Sequence, residues 1–184
     1  GKWEFNEGSG TSVADSSGNG NTLSFNGSLA WIAGVKGGAL SFAGGSDRVT
    51  APDSPSLDLS GSMTIAAWIR SNAIATSYLI KKAGFNSTDG YEVGLSSTGK
   101  VTARFNQVSS GDIYRIVSTT SYPSDGVTWM HVAVSFDGSV IRIYINGVED
   151  SSMSAPNLVV AQNDLPLSLG AQYNGSNAFI GALD

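Results

Sequence analysis

The segment Asp15-x-Ser17-x-Asn19-Gly20-Asn21 sets oxygen-bearing side chains at alternate positions around a glycine. A short loop of that form can wrap a hard cation such as Ca²⁺, which takes about six to eight oxygen ligands. Asp15 is its one carboxylate, and Asn26 stands where a closing glutamate would add a second. A second charge must then come from elsewhere in the fold. The same residues also read as a plain Asx-rich turn. His131 is the only histidine. A catalytic base needs a nucleophile and an orienting carboxylate beside it, and no spacing signals such a set, so His131 reads as a packed or hydrogen-bonded structural residue. Glycan hydrolysis needs two carboxylates acting together. The four glutamates are Glu4, Glu7, Glu92 and Glu149, and none lies in a Glu-x-Asp-x-Glu array. Glu4 and Glu7 differ by an odd number of positions, which sends them to opposite faces of a strand. The sequence therefore predicts a protein that binds and does not catalyse.

Binding a sugar calls for rings that stack on pyranose faces and planar polar groups for hydroxyls. Arg104 and Asn106 share one strand face, opposite Val101, Ala103 and Phe105. Asp112-Ile113-Tyr114-Arg115 follows a Ser-Ser-Gly turn and can add Tyr114 or Arg115 to that surface. Phe85-Asn86-Ser87-Thr88-Asp89 and Gln172-Tyr173-Asn174 read as loops carrying a ring and amides, with Tyr173 the ring of the second. Each has a structural alternative: the arginines can merely solvate a strand, and Tyr173 can cap the core. If the glycan is acidic, the arginines matter most, because a guanidinium pairs bidentately with carboxylate or sulfate.

Strands must position these groups. Met63 to Arg70 alternates over eight residues, and Met130, Val132, Val134 and Phe136 fall on one strand face. Asp137-Gly138 reverses that strand into Val140 to Ile145, and Asn146-Gly147 turns the chain again, giving a three-stranded meander. Ala39–Phe42, Tyr78–Lys81, Tyr91–Leu95, Val101–Phe105, Leu167–Gly170 and Phe179–Leu183 read as further strands, and Asn72 to Thr76 as no more than one helical turn. Strands without intervening helices imply an all-β, antiparallel two-sheet sandwich or jelly roll.

A chain of 184 residues with 41% hydrophobic and 14% charged residues suits one such domain spanning 1–184. Its 23 glycines mark many turns. Ten basic residues against fifteen acidic ones give −5, and Lys81-Lys82 is the densest basic run. That excludes the basic footprint of a nucleic-acid partner. No apolar stretch approaches the roughly 20 residues of a spanning helix. The absence of cysteine removes disulfides, thiol chemistry and thiolate metal sites, and a bacterial exported domain of this size can do without them. The opening Gly1-Lys2-Trp3-Glu4-Phe5 alternates like a strand, as expected of a piece cut from a longer precursor.

Five blocks in order carry a family resemblance. Trp3-x-Phe5-x-x-Gly8-Ser9-Gly10-Thr11 with Asp15 to Asn21 opens it, followed by Gly37 to Phe42 with Asp47-Arg48-Val49, and by Thr64 to Ile69. Trp129-x-His131-Val132-Ala133 with Ile143 to Gly147, and Phe179-x-Gly181-x-Leu183-Asp184, complete it. The set resembles bacterial laminin-G-like domains of the concanavalin A-like lectin/glucanase superfamily. The resemblance implies a jelly roll of two antiparallel sheets, one curved, with Trp3, Trp68 and Trp129 in the core. It nominates Asp184 as the second carboxylate of a structural calcium site with Asp15, Ser17, Asn19 and Asn21. It also implies a further strand after Asp184 beside the N-terminal one, so that an edge strand is missing here or supplied from elsewhere.

The function expected is a non-catalytic carbohydrate-binding or adhesion module of a secreted or cell-surface bacterial protein, with a polysaccharide or glycan as partner. The alternative is an architectural domain that contacts another surface protein and has no glycan site.

Overall fold

The computed structural model describes residues 1–84, 89–106 and 113–184. Phe85 to Thr88 of the expected ring-bearing loop, and the Ser-Ser-Gly-Asp stretch before Ile113, lie outside the described residues. The chain forms β1 (Ser12–Val13), β2 (Leu23–Asn26), β3 (Ala30–Ala33), β4 (Gly38–Ala43) and β5 (Arg48–Ala51). Next come β6 (Met63–Ser71), β7 (Ser77–Lys82), β8 (Tyr91–Leu95), β9 (Lys100–Asn106) and β10 (Ile113–Ser121). The last third supplies β11 (Met130–Phe136), β12 (Val140–Ile145), β13 (Val148–Ser154), β14 (Leu167–Leu169) and β15 (Ile180–Leu183). No helix occurs among the described residues.

Every pairing is antiparallel. One sheet has eight strands in the order β1-β2-β5-β14-β7-β8-β9-β10, the other seven in the order β13-β12-β11-β6-β15-β4-β3. Each strand points alternate residues inward, so Val13, Leu23, Val49, Val93 and Ala103 of the first sheet meet Ile69, Val132, Val134 and Ile143 of the second in one core. The β11–β12–β13 meander is as the sequence reads. Asn146 and Gly147, at φ 50° and 82°, both adopt the left-handed conformation that a tight two-residue hairpin demands. The turn before it differs from expectation: of Asp137 and Gly138 only Gly138 has positive φ. There Asp137 Oδ1 accepts the backbone N–H groups of Ser139 and Val140 at 2.9 and 2.8 Å, closing a three-residue loop. The Arg142 guanidinium and those N–H groups hold its carboxyl down at about 2.

Two expectations are corrected. Residues 1–5 join no ladder, because buried Phe5 sits at φ 51° and turns the chain out of an extended course. Trp68 and Trp129 are not core: they lie half-buried on the outer face of the seven-stranded sheet. There the Trp68 ring meets the His131 ring edge-on at 5.2 Å, and the Arg70 guanidinium lies 5.0 Å from the Trp129 centroid. Trp3 does pack against the core, with its indole N–H on the Asn21 carbonyl.

The seven-stranded sheet is paired incompletely. β15 meets β6 from Ser71 to Ile69, and Asp184 exchanges both backbone bonds with Trp68. Beyond Trp68, no described residue pairs with Met63 to Ala67 on that edge. A cavity of about 260 Å³ lies alongside, lined by Lys2, Trp3, Thr64, Ile65, Ala67 and Leu183 among others. Since peptide groups alternate sides, those of Thr64 and Ala66 face this gap as Trp68 does, while Ile65 and Ala67 bond to β11. Hydrogen exchange in the protein at neutral pH should therefore find the Thr64 and Ala66 amides at least tenfold faster than those of Ile65 and Ala67. Equal protection of all four would mean that the gap is closed in solution.

Candidate ligand-binding face

The outer face of the eight-stranded sheet carries an unbroken polar row. Ser12 pairs with Ser24, Ser24 with Thr50, Thr50 with Ser168, and Ser168 with Lys81. Lys81 then pairs with Glu92, Glu92 with Arg104, and Arg104 with Arg115. All eight strands contribute one residue. Neighbouring strands lie about 4.8 Å apart, so the stretch from Thr50 to Arg115 spans roughly 24 Å.

The middle of the row is charged and enclosed. Lys81 Nζ lies 2.5 Å and Arg104 Nη2 2.9 Å from the same Glu92 oxygen, and Lys81 also sits 3.9 Å from the Tyr78 ring centroid. Lys81 and Arg104 are 2% and 5% exposed. Such a network tolerates removal of a partner poorly, since the charge left behind is buried without compensation. The two adjacent lysines divide between faces. Lys82 points the other way and is buried against Asp53 at 2.7 Å and the Asn163 carbonyl at 2.6 Å. Ser168 Oγ and both amide atoms of Gln172 are buried and lack a hydrogen-bond partner among the described residues.

The residues expected to bind a ligand are therefore distributed unevenly. Arg104 and Asn106 do share a face, but both are buried; Asn106 donates to the Asp89 carbonyl, and neither meets solvent as a free recognition group would. Tyr114 packs against the core on the opposite side. Arg115 is exposed and continues the row at its end. Tyr173 is exposed in the segment after β14, and so is the neighbouring Asn174. Sequence reasoning missed Lys81, Glu92, Thr50 and Ser168. Their signal was the polar member at alternate positions of four short strands, legible once register is known.

The oxygen donors of the expected calcium loop are taken up by backbone and side-chain groups around it. Asp15 Oδ1 accepts the backbone N–H groups of Lys2 and Ser17, both at 2.9 Å, and Oδ2 that of Asn21 at 3.0 Å. Burial pushes its carboxyl up, but the Ser17 side chain and these N–H groups outweigh that and hold it well below the usual range. Ser17 Oγ accepts from Asn19, and the Asn21 amide is engaged with Ser56. Asp184 serves a different loop, with Oδ2 accepting Val35 and Lys36 N–H at 2.6 and 2.9 Å. The two carboxylates share no partner, and among the described residues no three carboxylate, histidine or cysteine groups converge as a metal site. In this arrangement the residues do not fit a cation: the loop is an Asx turn closed on its own N–H groups.

Residues 42–184 match the profile of a family described as the concanavalin A-like lectin/glucanases superfamily, Laminin_G_3. No curated protein matches the chain. Among solved structures, the chain is similar to the binding domain of Paraclostridial mosquitocidal protein 1, with TM-score 0.76 and 19% identity over 98% of this chain and 48% of that one. The botulinum neurotoxin serotype G binding domain gives 0.71 and 16%, covering 94% and 44%. Domain 4 of AbnA, a GH43 extracellular arabinanase from Geobacillus stearothermophilus solved with arabinotriose, gives 0.69 and 22%, covering 93% and 83%. The chain thus spans about half the length of the two toxin domains and most of the arabinanase domain. At these identities the likeness establishes the fold.

Two stability measurements follow from the geometry. Glu92→Gln should cost about 3–5 kcal/mol in denaturant unfolding, because it removes the carboxylate that compensates the buried Lys81 ammonium; a loss under 1 kcal/mol would show that the cluster is solvated. Asp15→Ala should cost about 1–2 kcal/mol through the N–H groups it frees. That loss should be the same with calcium or with EDTA, and EDTA should leave the melting temperature of the parent protein unchanged.

Proposed function

The chain belongs to the concanavalin A-like lectin/glucanases superfamily, and from that premise we propose that it is a non-catalytic carbohydrate-binding module of a secreted or cell-surface protein, which holds a glycan on the outer face of the eight-stranded sheet. The observation that carries this reading is the polar row crossing all eight strands. A flat polyhydroxylated chain laid along it meets hydroxyls at Ser12, Ser24 and Thr50, the exposed Arg115 guanidinium at one end, and the Tyr173-Asn174 segment near β14. The enclosed Lys81–Glu92–Arg104 cluster serves as a rigid floor that fixes the strands presenting those groups. An acidic glycan suits the row best, since its exposed charge is the Arg115 guanidinium, while Lys81 and Arg104 are enclosed and paired with Glu92.

The same row argues against hydrolysis. Glu92 is its sole carboxylate and is tied to two cations, whereas acid–base cleavage of a glycoside needs a second carboxyl group across the bond. Attached to a catalytic domain, a module of this kind raises that domain's local concentration at its polymer. The named arabinanase domain, solved with arabinotriose, lends support to this reading, as does the description of its enzyme as extracellular.

A polysaccharide array followed by calorimetry tests it. Binding of at least one glycan is expected, weakened roughly tenfold or more by Arg115→Ala and by Tyr173→Ala. Both positions are exposed, so folding stability should move by no more than about 0.5 kcal/mol. Silence across the array would overturn the glycan reading in favour of a protein partner, and release of reducing ends would overturn the non-catalytic one.

A further inference from the structure

The outer face of the seven-stranded sheet is occupied by side chains whose hydrogen-bonding capacity the protein leaves unused. Trp68 and Arg70 of β6, Trp129 just before β11, His131 of β11 and Tyr144 of β12 all point outward there. His131 is opposite Trp68, and Ala133 opposite both Ala66 and Tyr144. All five are half-buried.

The four tryptophans divide sharply. Trp3 and Trp31 donate their indole N–H to the carbonyls of Asn21 and Gly10, at 2.8 and 3.0 Å. Trp68 and Trp129 donate to no described residue, and the same holds for the His131 ring and the Tyr144 hydroxyl. None of these four polar edges is enclosed, so each is open to solvent or to a ligand on the same face.

Arg70 sets the chemistry of that partner. Its guanidinium is stacked over Trp129, makes no ion pair or side-chain hydrogen bond with any described residue, and has its Nε buried without an acceptor. The other arginine of this face, Arg142 on β12, is by contrast paired with Asp137 and Glu149. Stacking on an indole fixes the plane of a guanidinium and leaves its edge for a bidentate carboxylate. Trp68 lies two residues along the same strand face, about 7 Å away, and offers a flat apolar ring. A planar carboxylate attached to a ring with an apolar C–H face satisfies both at once.

We propose that this face is a second, independent binding site, for a uronic-acid-containing saccharide whose carboxylate pairs with Arg70 and whose ring stacks on the Trp68–Trp129 surface. It shares no residue with the polar row of the other sheet, so either site can fail without the other.

The test is a titration followed through the indole ¹H–¹⁵N resonances, with Trp3 and Trp31 as internal controls. The probes are trisaccharides of galacturonate, guluronate and glucuronate, each with its methyl-esterified neutral form. At least one acid should shift the Trp68 and Trp129 signals saturably, leave those of Trp3 and Trp31 in place, and weaken as salt is raised. Methyl esterification and Arg70→Gln should each reduce its affinity about tenfold or more, while Arg115→Ala leaves it unchanged. The proposal falls if no acid shifts the two indoles at millimolar concentration, if an ester binds as well as its acid, or if Arg70→Gln binds like the parent protein. Shifts lost in Arg115→Ala and kept in Arg70→Gln would assign the binding to the polar row and overturn the second site.

Discussion

Strand alternation against a shared core is the constraint from which the rest of this molecule follows. Once Leu23, Val49, Leu169, Val93 and Ala103 are committed to the space between the sheets, their neighbours must stand outward. Those neighbours are Ser24, Thr50, Ser168, Glu92 and Arg104. A slip of one position in any strand would drive a charge or hydroxyl into the core and carry a large apolar side chain to solvent. Core and row are therefore one specification seen from two sides. The row inherits its regularity from packing that has nothing to do with a ligand.

Electrostatics then divides the outward face into a fixed part and an available part. Glu92 bridges Lys81 from the strand before it and Arg104 from the strand after it, so three strands are tied by one carboxylate. Such a triad adds little net stability over an apolar equivalent, but it is unforgiving of other registers, because each alternative leaves a buried ion alone. Arg115 at the end of the row and Arg70 on the opposite sheet escape that neutralisation. With Arg48, which bonds only the Ser46 carbonyl, they are the guanidinium groups outside any ion pair of described residues, in a protein whose overall charge is negative.

Much of the architecture was legible in the sequence where period and turn chemistry agreed. Met130 to Phe136 alternates cleanly, Asn146-Gly147 supplies a turn that only left-handed residues make, and both are found as read. The shared face of Arg104 and Asn106 also followed from period two alone. Their burial did not, because it depends on what closes over that face, including the Glu92 carboxylate of β8 on Arg104 and the Asp89 carbonyl on Asn106. Trp68 and Trp129 were misplaced for a related reason. Large aromatic residues inside a recurrent block suggest a core, yet their positions in the alternation, opposite Ile69 and Met130, already send them outward. The Asp15 segment shows a third limit. Alternating oxygen ligands look the same in sequence whether they face an ion or the backbone N–H groups of their own loop.

The half-paired β6 strand bears on handling as well as on structure. Peptide groups presented in a row beside the apolar side chains of Ile65 and Ala67 form a template that a strand from another molecule can extend. Charged residues, prolines and bulges usually blunt such places, and Met63-Thr64-Ile65-Ala66-Ala67 contains none of these. In solutions of residues 1–184 alone, this stretch is one of the strand edges open to self-association, and a lysine at the outward-facing Ala66 is the simplest gatekeeper against it.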